Sequence, residues 1–210
     1  MDELLKRFTL IDFAGIFAPG AVLTLVLNFF GPDLSAPFDS FFGENAVMLA
    51  VYFLTISYLL GSALHQLGAC LERLWKVNIN HKKYCEAPEI RAAYQRCFQM
   101  ELTGDFPEAG ARIFHYLQQD SRPERIILFN SFYTMSRTMV VTLGILILIT
   151  VFYKWTTLTF GAMVIRLAVY VLGIILFRSR WSRFEKKCIE EAYFLFSFQK
   201  LEPDGPSKGI

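Results

Sequence analysis

From Ala46 to Cys70 the chain carries no acidic or basic side chain except the imidazole of His65, and full charge returns only at Glu72 and Arg73. Roughly 20 apolar residues at ~1.5 Å rise each match the ~30 Å hydrocarbon core of a bilayer. In lipid, a lone segment satisfies its backbone polar groups only as a helix. Three further apolar runs follow the same logic, Phe13 to Phe30, Thr138 to Tyr153 and Thr159 to Phe177. The richest of these segments are apolar on every face, whereas a helix of a soluble domain concentrates its apolar residues in a stripe of 3.6-residue period. The pattern predicts an all-α polytopic membrane protein with four transmembrane helices, about 13–30, 46–70, 138–153 and 159–177, and a small helical cytosolic subdomain.

The polar stretches divide the rest. In residues 1–12, Leu4, Leu5, Phe8 and Ile11 recur at helical spacing among Asp2, Glu3, Lys6 and Arg7, which predicts an interfacial helix leading into the first hairpin, 1–70. Pro19-Gly20 interrupts the first span, where proline removes a backbone bond, so a kink or local unwinding is expected there. Gly31 to Asn45 holds Pro32, Pro37 and acidic residues and reads as a loop. Residues 71–137 form the cytosolic insert, with helices expected at Pro88 to Leu102, at Pro107 to Gln119 behind an Asp105 cap, and from Pro123 directly into the third span. The second hairpin, 138–177, turns at Lys154 to Thr159. Residues 178–210 begin as a basic amphipathic helix to about Gln199 and end in a Pro/Gly/Ser-containing tail expected to be disordered.

Composition strengthens the membrane reading, with 54% hydrophobic residues and 21 Phe in 210 positions. The net charge of +2 is too small to point to nucleic acid, and direct nucleic-acid binding is not expected. Its distribution is more telling. Two basic residues precede the first span, ten lie between the second and third, and seven follow the fourth, while the opposite loops hold only Lys154. The positive-inside rule therefore places both termini and the insert in the cytoplasm. On that topology Cys70, Cys85, Cys97 and Cys188 are expected to be reduced thiols. No small-residue cleavage site follows the first apolar run, so a cleaved signal is not expected.

Arg166 is the sharpest single feature, a basic side chain inside the fourth span. A guanidinium at that depth needs a partner, water or a route to the headgroups, so it either lines a pore or gate, or snorkels outward. His65, Gly61 and Gly68 mark the inner end of the second span. Together with Ser57, the small residues permit close helix contact, within one chain or between copies. Arg73, Lys76, Arg178, Arg180 and Arg183 flank the spans, where anionic lipid headgroups are sufficient partners. His81, Cys85 and Cys97 lack the compact pair that a tetrahedral zinc site requires, so no metal or other cofactor is expected. There is no phosphate-binding glycine loop, nucleophile elbow or zinc-protease motif, and the chain is not read as an enzyme.

Four spans with both ends inside and a helical insert between two hairpins resemble small bacterial inner-membrane proteins of unassigned function. Some of these are similar to membrane subunits of anti-phage defence systems, which pair with a soluble nucleic-acid-sensing protein. The resemblance is one of architecture and transfers no residue. With an insert too small to be an independent enzyme, the lone intraspan Arg166 and small-residue faces suited to assembly, the expectation is a homo-oligomer in the bilayer that docks a soluble cytosolic protein partner. Its output is membrane perturbation or ion conduction, in phage defence as the resemblance implies. A passive membrane anchor or scaffold, and a small transporter dependent on Arg166, are the alternatives.

Overall fold

The structure is a computed structural model that describes residues 12–30, 46–75, 77, 79–102, 106–119, 124–153 and 159–198. The described residues are helical, without a strand. They comprise a π-helical segment Asp12–Phe17 running into α1 (Ala18–Phe30), then α2 (Ala46–Leu74), α3 (His81–Cys85), α4 (Pro88–Phe98), α5 (Phe106–Gln119), α6 (Glu124–Tyr153) and α7 (Phe160–Ser197). The expected N-terminal interfacial helix, the 31–45 loop, the Asp105 cap, most of the 154–159 turn and the C-terminal tail lie outside the described residues.

Among the described residues three helices are long and apolar enough to cross a membrane: α2, α6 between Arg125 and Phe152, and α7. Phe13–Asn28 is apolar but shorter, reaching ~24 Å at ~1.5 Å per residue. The 38 residues of α7 extend about 57 Å, nearly twice a ~30 Å hydrocarbon core. Its apolar stretch from Phe160 to Phe177 accounts for a span, and the remainder, from Arg178 onward, is charged and amphipathic.

The chain divides into two compact units, Met1–Val77 with Ile127–Glu185 and Asn78–Ile126 with Lys186–Ile210. In the first, Leu23, Leu64, Leu143 and Leu146 form a core that Leu60, Tyr170, Ile174 and Phe177 also pack against. The apolar window of α6 is 50% buried, against 17% for α2 and 6% for α7, so α6 is the interior helix. It turns hydroxyls inward: Ser131, Thr134, Ser136, Thr138, Thr142 and Thr150 are all buried. Ser131, Ser136, Thr138 and Thr142 donate to carbonyls one turn back, at 2.7–3.0 Å, which removes the cost of burying a hydroxyl.

The close crossing of α1 and α2 explains Pro19 and Gly20. A side chain on Gly20 would collide with the Ser57 carbonyl and come within 2.7 Å of the Gly61 nitrogen, and one on Gly61 would collide with the Ile16 carbonyl. Thr24 donates to the Gly20 carbonyl at 2.8 Å and accepts from Ser57 at 3.3 Å. The interruption expected at Pro19-Gly20 takes the form of the π-helical segment just before them, as a proline that cannot donate to the preceding turn favours.

The second unit is a small helical cluster in which α3 packs against α4 and α5. Asn80 caps α3 by accepting from the Lys83 amide at 3.3 Å, and Pro88 opens α4. That helix stops at Phe98 rather than Leu102, because Gln99 adopts the left-handed conformation with φ 52°. Ile90, Tyr94, Ile113, Leu117, Ile126, Cys188, Ala192 and Phe196 are buried in this unit. The amphipathic continuation expected after Arg178 is the same helix as the fourth apolar run.

Candidate functional site

At the end of the first unit where the apolar stretches stop, α2, α6 and α7 bring charged side chains together. Arg137 is buried, with 6% of its surface exposed, and pairs through Nη1 with Glu72 at the end of α2. The same nitrogen donates to the Tyr133 hydroxyl at 3.1 Å, and Nη2 lies 3.5 Å from His65 Nδ1. The guanidinium also stands over the Tyr133 ring, 5.2 Å from its centroid. Helical spacing makes this possible, since Tyr133 and Arg137 are one turn apart on α6 and Gly68 and Glu72 one turn apart on α2. Gly68 leaves room for the arginine stem: a Cβ there would sit 3.3 Å from Arg137 Nε and 3.4 Å from Cγ.

A second guanidinium lies on α7. Arg178 stacks on the rings of Trp75 and Trp181, at 4.9 and 4.3 Å from their centroids, and donates to the Trp75 carbonyl at 3.3 Å. Trp181 is fully buried. Four buried polar atoms here lack a partner in hydrogen-bonding geometry: Arg137 Nε, Arg178 Nη1, Trp181 Nε1 and Glu185 Oε2. Arg178, Trp181 and Glu185 fall on one face of α7. Each orphaned group costs roughly 1–3 kcal/mol of desolvation, so this junction is the least satisfied layer of its unit.

Arg166 sits half-buried on α7 inside the apolar stretch and is not without an interaction partner. His65 and Gly68 join the Arg137 cluster, whereas Gly61 and Ser57 belong to the α1 crossing. Those small residues are thus used in packing within the chain. Arg73, Arg180 and Arg183 are exposed, Arg178 is half-buried in its tryptophan stack, and Lys76 lies outside the described residues.

The second unit holds a different constellation. The buried Tyr193 hydroxyl meets His81 Nδ1 at 3.1 Å and Cys85 Sγ at 3.4 Å, with the ring stacked on Tyr84 at 5.0 Å. Tyr84 in turn donates to Glu190 at 2.9 Å. Burial pushes the His81 imidazole below its ordinary range and the Cys85 thiol above its own. His81 and Cys85 therefore satisfy a tyrosine. Among the described residues no three His, Cys, Asp or Glu side chains converge as metal ligands. An open cleft of about 300 Å³ runs past Asn80, His81, Lys82 and Phe106.

Sequence reasoning counted Arg137 among the polar residues of the insert and did not pair it with Glu72. The usable signal was opposite charges at matching heights on two neighbouring apolar helices, with a glycine one turn before the acid. Glu185 and Trp181 gave no comparable signal, because their meeting depends on how α7 packs. No known protein family, curated protein or solved structure matches this chain.

Proposed function

We propose that the chain is a four-span bacterial inner-membrane protein, oligomeric and with both termini and the insert cytoplasmic. In this reading a soluble protein partner or signal acting on the insert changes the membrane helices. Membrane perturbation or ion conduction is the output, and phage defence the setting. The observation that carries the reading is the Glu72–Arg137 ion pair. It ties together the two helices flanking the insert in sequence, α2 and α6, so a force on the insert acts on both ends of one ion pair. The marked asymmetry of basic residues supports the topology, and the nearly unburied apolar window of α7 supports contact with lipid or further copies.

Reconstitution tests it. Purified protein in planar bilayers or dye-loaded proteoliposomes, alone and with the soluble protein encoded by the neighbouring gene, is expected to assemble and pass ions. Breaking the pair with Arg137→Gln is expected to change that conductance. Strictly monomeric protein that passes no current under either condition overturns the reading.

A second reading, a passive anchor, draws support from the buried hydroxyls. Thr24, Ser57, Ser131, Ser136, Thr138 and Thr142 are each hydrogen-bonded within the chain, as in a bundle built only to hold together. Replacing the spans by an unrelated membrane anchor separates the two: the anchor reading expects function to be retained.

A further inference from the structure

Two arginines and two glutamates meet at the junction, and among these described residues one ion pair forms, Arg137 with Glu72. Arg178 spends its guanidinium on Trp75 and Trp181, leaving Nη1 idle, and Arg137 leaves Nε idle. Glu185 Oε2 is buried beside these groups with no donor in hydrogen-bonding geometry, although the Trp181 indole N–H and the two guanidinium groups are close enough to favour its ionised form in part. A buried carboxylate without a donor is unfavourable, whereas the protonated acid is tolerated. We infer that Glu185 is a proton-controlled latch residue. Protonated, it leaves Arg137 with Glu72 and Arg178 between its tryptophans; ionised, it competes for both guanidinium groups and loosens α2 from α6 and α7.

The groups facing Glu185 come from all three helices. They are Glu72 on α2, Arg137 and Tyr133 on α6, and Arg178 and Trp181 on α7, with His65 beside Arg137 Nη2. Glu185 lies beyond the apolar stretch that ends at Phe177, and it is half-buried, so the proton exchanges with water. Burial first, and the neighbouring Glu72 carboxylate second, push its carboxyl up to about 7. A carboxyl raised in the folded state stabilises that state fully below its unfolded value of about 4.5, and the contribution is lost as pH rises through about 7. The junction therefore loosens on the alkaline side of neutrality. This goes beyond the coupling reading and holds whether or not the chain conducts.

The test uses the full chain in phosphatidylcholine nanodiscs, titrated with protons alone. The infrared carbonyl stretch of a protonated carboxyl and the tryptophan emission are expected to change together, with a midpoint near 7. Glu185→Gln is expected to lose both changes. Glu72→Gln is expected to retain them with the midpoint moved down, because one of the charges raising it is gone. Absence of a protonated-carboxyl band at pH 6 overturns the inference. So does an emission change that survives in Glu185→Gln, or a midpoint unmoved in Glu72→Gln.

Discussion

Arg137 is the residue on which the junction turns, because its charge is buried and Glu72 is the only carboxylate it is bonded to among the described residues. Arg137→Ala is expected to destabilise the protein by ~3 kcal/mol, the low end for an orphaned buried charge, since the Glu72 side chain keeps 32% exposure. Thermal unfolding in detergent measures this, and Arg137→Lys should recover only part of it, because an ammonium cannot serve three partners across a planar fork. Gly20 is constrained differently, by backbone contact. Gly20→Ala is expected to cost ~3 kcal/mol or more, since the obstructing Ser57 carbonyl cannot rotate away. Gly161→Ala, which meets nothing within 4 Å, should be neutral in the same assay. In the second unit His81 supplies a pH dependence of the opposite sign to that of Glu185. Its folded value is held below the ordinary 6.5 by burial, so its stabilisation is present above about 6.5 and is lost as pH falls. Limited proteolysis of the insert in the full chain should therefore accelerate from pH 7.5 to pH 5.5, with the acceleration suppressed in His81→Gln.

Among the elements, α6 and α7 are built on contrary plans. The interior helix α6 carries its hydroxyls on the buried side and satisfies them from its own carbonyls, so it needs no polar partner to sit in the core. Thr142→Val is accordingly expected to cost ~1 kcal/mol or less. A large change in conductance from that substitution would instead mark the hydroxyl as part of an ion path. By contrast α7 exposes Ile165, Val169, Leu172 and Ile175 along its apolar stretch and then continues as a charged helix. Val169→Asp, at the middle of that stretch, is expected to cost ~2.5–3.5 kcal/mol in a membrane-insertion assay. Phe194→Asp, at an exposed position beyond the span, should have no insertion cost. Equal effects at the two positions would mean that the span is not where the apolar stretch places it.

For the molecule as a whole, topology is the first quantity to establish. Reporter fusions at both termini are expected to report the cytoplasm, and an insertion between Gly31 and Asn45 the opposite side. α1 is too short to span a full-thickness core without local thinning or a contribution from flanking residues, so the N-terminal fusion is the decisive one.

The membrane character of the chain, its helical class and the positions of the long apolar helices were determined by the sequence alone. Burying 25 uncharged residues such as Ala46 to Cys70 in lipid is favourable whatever their neighbours, so the signal is local. Proline likewise marked the start of α4 through its own backbone chemistry. What only the tertiary structure decided was which side chains meet. Gly61 serves the α1 crossing and Gly68 makes room for Arg137. Glu72 pairs with an arginine 65 positions away, and Glu185 is left beside two guanidinium groups without binding either. Those outcomes depend on the height and rotation of one helix against another. A span that is apolar on every face does not encode its rotation in its periodicity, and packing against its neighbours sets it instead.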